Sequence, residues 1–133
     1  MDKPCWCYAL FDPRPRPRMG DAPGAAQAAE AVFVAAVDAG AAKPINEAAV
    51  AFYGLAPSWA RPHEDATSDL ARHAAAVDAA FRVAVVLARA AGVAAVGAHP
   101  PDRHALVTVA KAEAQRARWL LVELAAVVYP GAG

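Results

Sequence analysis

The sequence predicts an all-α protein: an up-and-down helical bundle of about four helices, two short and two long, with an extended N-terminal arm. Three observations lead there. Apolar residues recur at alternating steps of four and three along two long stretches, 70–88 and 107–128. Proline and glycine fall mainly around the periodic stretches, where helices start and stop. The chain of 133 residues has the length of one domain with a single modest core. The expected division is an arm over 1–20 and a helical body over 21–133.

The arm opens with CWCYALF, residues 5–11, an aromatic and apolar run that reads as a short strand or extended segment. PRPRPR follows over 13–18; its alternate prolines fix φ and favour polyproline II. Asp21 then offers an N-cap, Pro23 fits a first turn and Gly40 suits a left-handed C-terminal cap, which bounds a first helix at about 22–39. A second, near three turns, runs from Pro44 to Gly54, with Leu55 placed as the apolar partner of a Schellman ending.

After a loop carrying Trp59, Pro62 and the acidic pair Glu64 and Asp65 suit the first turn of a third helix, expected over 63 to about 91. Its seam is Leu70, Ala74, Val77, Phe81, Ala84 and Ala88, with Asp69–His73 and Asp78–Arg82 as four-residue pairs outside it. Gly92 and Gly97 are expected to break the run. A last helix over about 101–129 carries the stripe Val107, Ala110, Ala114, Ala117, Leu121, Leu124 and Val128. The two long helices should form an antiparallel hairpin covered by the first two.

Composition narrows the function classes. With 39 alanines the seams allow close helix approach but bury little apolar area per residue, a condition that oligomerisation relieves. Val83, Val86 and Leu87 lie off the main seam, so the third helix could pack on two sides and a homodimer is a natural consequence. Formal net charge is zero, which provides no global field toward nucleic acid or an anionic membrane. The most apolar window, 83–98, is shorter than the roughly 20 residues of a membrane span and contains Arg89. No signal-peptide pattern is present at the start, so a cytoplasmic location is expected.

Four groups of residues could carry chemistry. Cys5 and Cys7 could offer two thiolates to a soft metal, but a structural zinc site needs four ligands, and His63, His73, His99 and His104 stand in no dense cluster. Free thiols beside Trp6 are the simpler expectation. HPPDRH, 99–104, brings His99, Asp102 and His104 to one loop-helix junction, where Asp102 favours the helix N-terminus and the imidazoles face solvent. Glu113 and Glu123 flank the last stripe, yet no Glu-x-x-His pair, phosphate loop or nucleophile elbow occurs; Glu113 is expected to pair with Arg116 or Lys111, and Trp119 to cover the bundle end. No cofactor is implied.

The remaining group is the arm, whose Trp6, Tyr8, Phe11, Arg14, Arg16 and Arg18 present rings and guanidinium groups on a stiff extended segment suited to a partner's groove or sheet edge. The expected function is a small non-catalytic helical protein, an accessory, regulatory or assembly subunit. It would bind a protein partner through that arm and an apolar helix face. The alternative is a small enzyme or ligand-binding protein with a histidine and carboxylate pocket between helices, for which His73 is the best internal candidate.

Overall fold

A computed structural model describes residues 22–56 and 69–128, and over them the chain is the expected all-α bundle. It comprises α1 (Ala22–Ala39), α2 (Ala42–Tyr53), α3 (Asp69–Val96) and α4 (Pro100–Val128). The arm, with Cys5, Cys7 and the six proposed contact residues, lies outside the described residues, as does His63.

α1 buries Ala26, Phe33, Ala36 and Val37 along one side and ends at Gly40, whose φ of 72° is the left-handed cap the sequence predicts. Gly40 N–H donates to the carbonyls of Ala36 and Val37 at 3.2 and 3.1 Å. α2 begins two residues before Pro44, because Pro44 occupies its first turn, where an amide has no partner within the helix to lose. Ile45, Ala48, Ala49 and Phe52 form its buried side.

Two endings differ from expectation. Gly54 stays right-handed at φ −68°, and α2 closes with tight three-residue bonds, Leu55 N–H to Phe52 O at 3.0 Å and Ala56 N–H to Tyr53 O at 3.2 Å. The apolar partner Leu55 is present, but the Schellman geometry is not formed. α3 runs through Gly92 to Val96 instead of stopping near 91. A Cβ on Gly92 would stand 3.2 Å from Val37 Cγ2 and 3.3 Å from Ile45 Cγ2, so glycine there lets α1 and α2 approach α3.

α3 and α4, 28 and 29 residues long, form the long antiparallel hairpin across a three-residue turn at 97–99. His73 near the start of α3 meets Glu123 near the end of α4 at 3.4 Å. Each short helix packs on the other and on one long helix, α1 on α4 and α2 on α3. Phe33, Ile45, Phe52, Phe81 and Leu124 are the largest fully buried side chains, and the Phe52 and Phe81 rings meet at 5.8 Å. The hairpin interface is lined with alanine: Ala74, Ala84 and Ala88 on α3, Ala110, Ala114 and Ala117 on α4. These small side chains permit close approach, and the phenylalanines supply the larger burial per residue.

Candidate partner-binding face

α3 has a second apolar side, opposite its core seam. Between residues 76 and 94 its exposed positions are Ala76, Ala79, Val83, Val86, Leu87, Arg89, Ala90 and Ala94, so Arg89 is the one charge among them. Val83, Val86 and Leu87 keep 54%, 51% and 45% of their surface in contact with solvent. A helix with apolar residues on two opposite sides has a second side that burial would favour covering. By length and composition the stretch Ala71–Val96 could also cross a bilayer, and its two apolar sides account for that hydropathy.

α2 extends this face. Val50 and Tyr53 lie beside its buried stripe and remain exposed. With Asn46, Val86 and Arg89 they border an open groove of about 280 Å³. Polar groups along its edge are held in place. Arg82 Nε donates to both Asp78 carboxylate oxygens at 3.2 and 3.1 Å, and its guanidinium stacks 4.9 Å from the centre of the Tyr53 ring. Burial alone would lower the Arg82 pKa, but hydrogen bonding to Tyr53 and Asp78 and the attraction of the Asp78 carboxylate outweigh it, and the net shift is upward. Its charge is therefore permanent at any accessible pH. Arg89 Nε donates to Asn46 Oδ1 at 2.6 Å, which ties α3 to α2 across the groove.

A second hollow, about 260 Å³, lies at the closed end of the bundle between Val37, Gly40, Gly92, Val96, Arg103 and Val107. Its neighbouring charges are satisfied within the protein. Lys111 Nζ meets Asp38 at 2.8 Å, and Arg103 donates to the Ala98 carbonyl at 3.3 Å.

The other titratable groups do not converge. His73 pairs with Glu123 across the hairpin while Asp69 takes Arg72, so the expected Asp69–His73 pair is replaced by two others. Both members of the His73–Glu123 pair are about half exposed, on an open surface rather than in a pocket. His99 and His104 are exposed, and what the junction contributes to order is backbone: Arg103 N–H donates to His99 O at 2.7 Å and Thr108 Oγ1 to His104 O at 2.9 Å. Among the described residues no three His, Cys, Asp or Glu side chains are grouped as metal ligands. Glu113 lies 4.0 Å from Arg116, as expected, and one of its carboxylate oxygens is buried without a hydrogen bond. Trp119 does not cover the bundle end; it is exposed on α4 with the Arg118 guanidinium 4.6 Å from its ring centre.

No known protein family, curated protein or solved structure matches the chain. Its face must be read from its own chemistry. Sequence reasoning found the α3 half, Val83, Val86 and Leu87, and missed the α2 half. The available signal was a second stripe, Asn46, Val50 and Tyr53, displaced by one position from the buried Ile45, Ala49 and Phe52.

Proposed function

We propose that this protein acts by binding another protein chain, as a non-catalytic accessory, regulatory or assembly component, through the outward face of α3 and the adjoining edge of α2. The supporting observation is the run of exposed apolar residues from Ala76 to Ala94, with Val83, Val86 and Leu87 at its centre and Val50 and Tyr53 beside it. Such a face loses hydration when covered, and a groove with an apolar floor and fixed polar edges suits an apposed helix. Arg82 and Arg89 are held by Asp78 and Asn46, which preorganises the edge before a partner arrives. The arm residues Trp6, Tyr8, Phe11, Arg14, Arg16 and Arg18 supply a second contact, on the strength of the sequence alone.

The test is site-specific photocrosslinking in cells. A photoreactive residue at position 86 is expected to give a discrete protein adduct, whereas one at Gln115, exposed on α4, gives none. Equal labelling at both positions, or no adduct at position 86, would refute the reading.

A further inference from the structure

The outward face of α3 has an internal order beyond its apolarity. Ala76, Ala79, Val83, Val86, Ala90 and Val93 are separated by steps of three and four, the spacing of a coiled-coil seam. The first five are exposed, and Val93 is half-buried at the end. The run is also symmetric about the midpoint between Val83 and Val86. Reversed end for end, Val83 falls opposite Val86, Ala79 opposite Ala90 and Ala76 opposite Val93.

We propose that the occupant of this face is a second copy of the same chain, with the two α3 helices packed antiparallel about a twofold axis centred between Val83 and Val86. The inference rests on the docking-face reading above and names its partner. A twofold contact requires a patch complementary to itself, in which residue i meets residue j and j meets i, and this seam has that property. Alanine layers on either side of a valine centre let the two helix backbones approach closely, and antiparallel helices align their dipoles favourably. Leu87 with Ala80 and Ala94 would border the seam on one side. On the other, Val50 and Tyr53 of α2 form a shoulder.

The size of the face fits a modest dimer. Val83, Val86, Leu87, Val50 and Tyr53 with the flanking alanines are fewer than the roughly 20–30 residues each partner gives a standard interface, which fits a reversible rather than an obligate pairing. The charges add a diagnostic feature. Antiparallel pairing brings Arg82 of one copy beside Arg89 of the other along the α2 edge, each already bonded within its own chain. Asp78 neutralises Arg82 while Asn46 is uncharged, which leaves one net positive charge per copy along that edge; salt screens this repulsion, so the dimer tightens modestly as ionic strength rises. An acidic partner helix on the same face would behave in the opposite way.

Two measurements on the full chain test this. Sedimentation equilibrium is expected to show a reversible dimer, tighter in high salt and weakened at least about tenfold by Val86→Glu, which sets a carboxylate against an apolar residue. Because Val86 is half exposed in the single chain, helicity measured by circular dichroism should not change. In a background with Cys5 and Cys7 changed to Ser, mixing the Ala79→Cys and Ala90→Cys proteins should give the disulfide heterodimer in preference to either homodimer. A chain that stays monomeric, Ala79→Cys homodimers as the main product, or monomers that instead co-sediment with phosphatidylcholine–phosphatidylglycerol vesicles would each overturn the proposal. The crosslink at position 86 separates the two levels. An adduct with a different protein alone overturns the self-pairing and leaves the docking face standing, whereas no adduct removes both.

Discussion

Gly92 offers a direct check on how closely α1 and α2 pack against α3. In an exposed helix interior, replacing glycine by alanine gains about 1 kcal/mol of helix propensity. Here the added Cβ would stand 3.2 Å from Val37 Cγ2, 3.3 Å from Ile45 Cγ2 and 3.6 Å from Phe33 Cζ. Val37 and Ile45 are buried and β-branched, with stiff χ1 angles, so neither can swing aside. Overfilling a packed site of this kind costs about 1–3 kcal/mol. The two effects leave Gly92→Ala destabilised by about 1 kcal/mol, a fall in Tm of roughly 4 °C for a domain this size. Urea unfolding followed by far-UV circular dichroism, at one fixed protein concentration, reads the difference. The control is Gly24→Ala, whose Cβ would meet nothing within 4 Å and which should gain about 0.4–1 kcal/mol. Adding Val37→Ala to Gly92→Ala should reveal a favourable coupling, since removing the valine methyls makes the room that Cβ needs. If Gly92→Ala instead stabilised the protein by the full propensity gain, the close approach of three helices at this residue would be wrong.

Other substitutions follow from the same packing. Phe81→Ala, at the fully buried centre of α3 against Phe52, should cost about 3–5 kcal/mol in the same unfolding assay, and a loss below about 1 kcal/mol would contradict the core assignment. Asp78→Ala leaves Arg82 without its carboxylate and should cost about 1–2 kcal/mol, while Arg82→Lys, which loses the Nε contact and the flat stacking on Tyr53, should cost about 1 kcal/mol. Between α1 and α4, Glu30 and Arg118 meet at 2.9 Å with both side chains largely buried. Either Glu30→Leu or Arg118→Met alone should destabilise by about 1–3 kcal/mol, and the two together should recover most of the loss, because the isolated buried charge is gone. Additive losses in that double-mutant cycle would show that the pair does not interact.

The sequence carried the helices more clearly than their contacts. Seam positions Ala74, Val77, Phe81, Ala84 and Ala88, and on α4 Ala110, Ala114, Ala117, Leu121 and Leu124, are all buried, because a 3.6-residue period leaves a visible mark along the chain. Gly92 misled because local rules treat glycine as a breaker, whereas its reason lies in Val37 and Ile45, more than 40 residues away. Gly54 misled in the opposite sense: tight right-handed closure proved sufficient where a left-handed cap was expected. His73 found Glu123 rather than Asp69, and Lys111 found Asp38 rather than Glu113. Those pairings depend on which helices become neighbours, which local spacing does not encode. The α2 edge of the candidate site was overlooked for the same reason, since Val50 and Tyr53 acquire meaning only when α2 lies beside Val86.

A contrast between the two long helices gives the α3 face its weight. Both are alanine-rich and both have one side in the core, so composition alone would make their outer sides alike. They are not alike. The exposed side of α4 sets Val109 and Trp119 among Arg103, His104, Thr108, Gln115, Arg116 and Glu123, polar residues that solvate a surface helix. The exposed side of α3 carries Val83, Val86 and Leu87 where such residues would be expected. Valine is also a weaker helix former than glutamate, lysine or arginine, so Val83 and Val86 sacrifice both solvation and helix propensity in the isolated chain. They also fall at the centre of the symmetric seam rather than at scattered positions. The cost at Val83, Val86 and Leu87 is most simply recovered when that side is covered, which is what the proposed pairing of α3 would do.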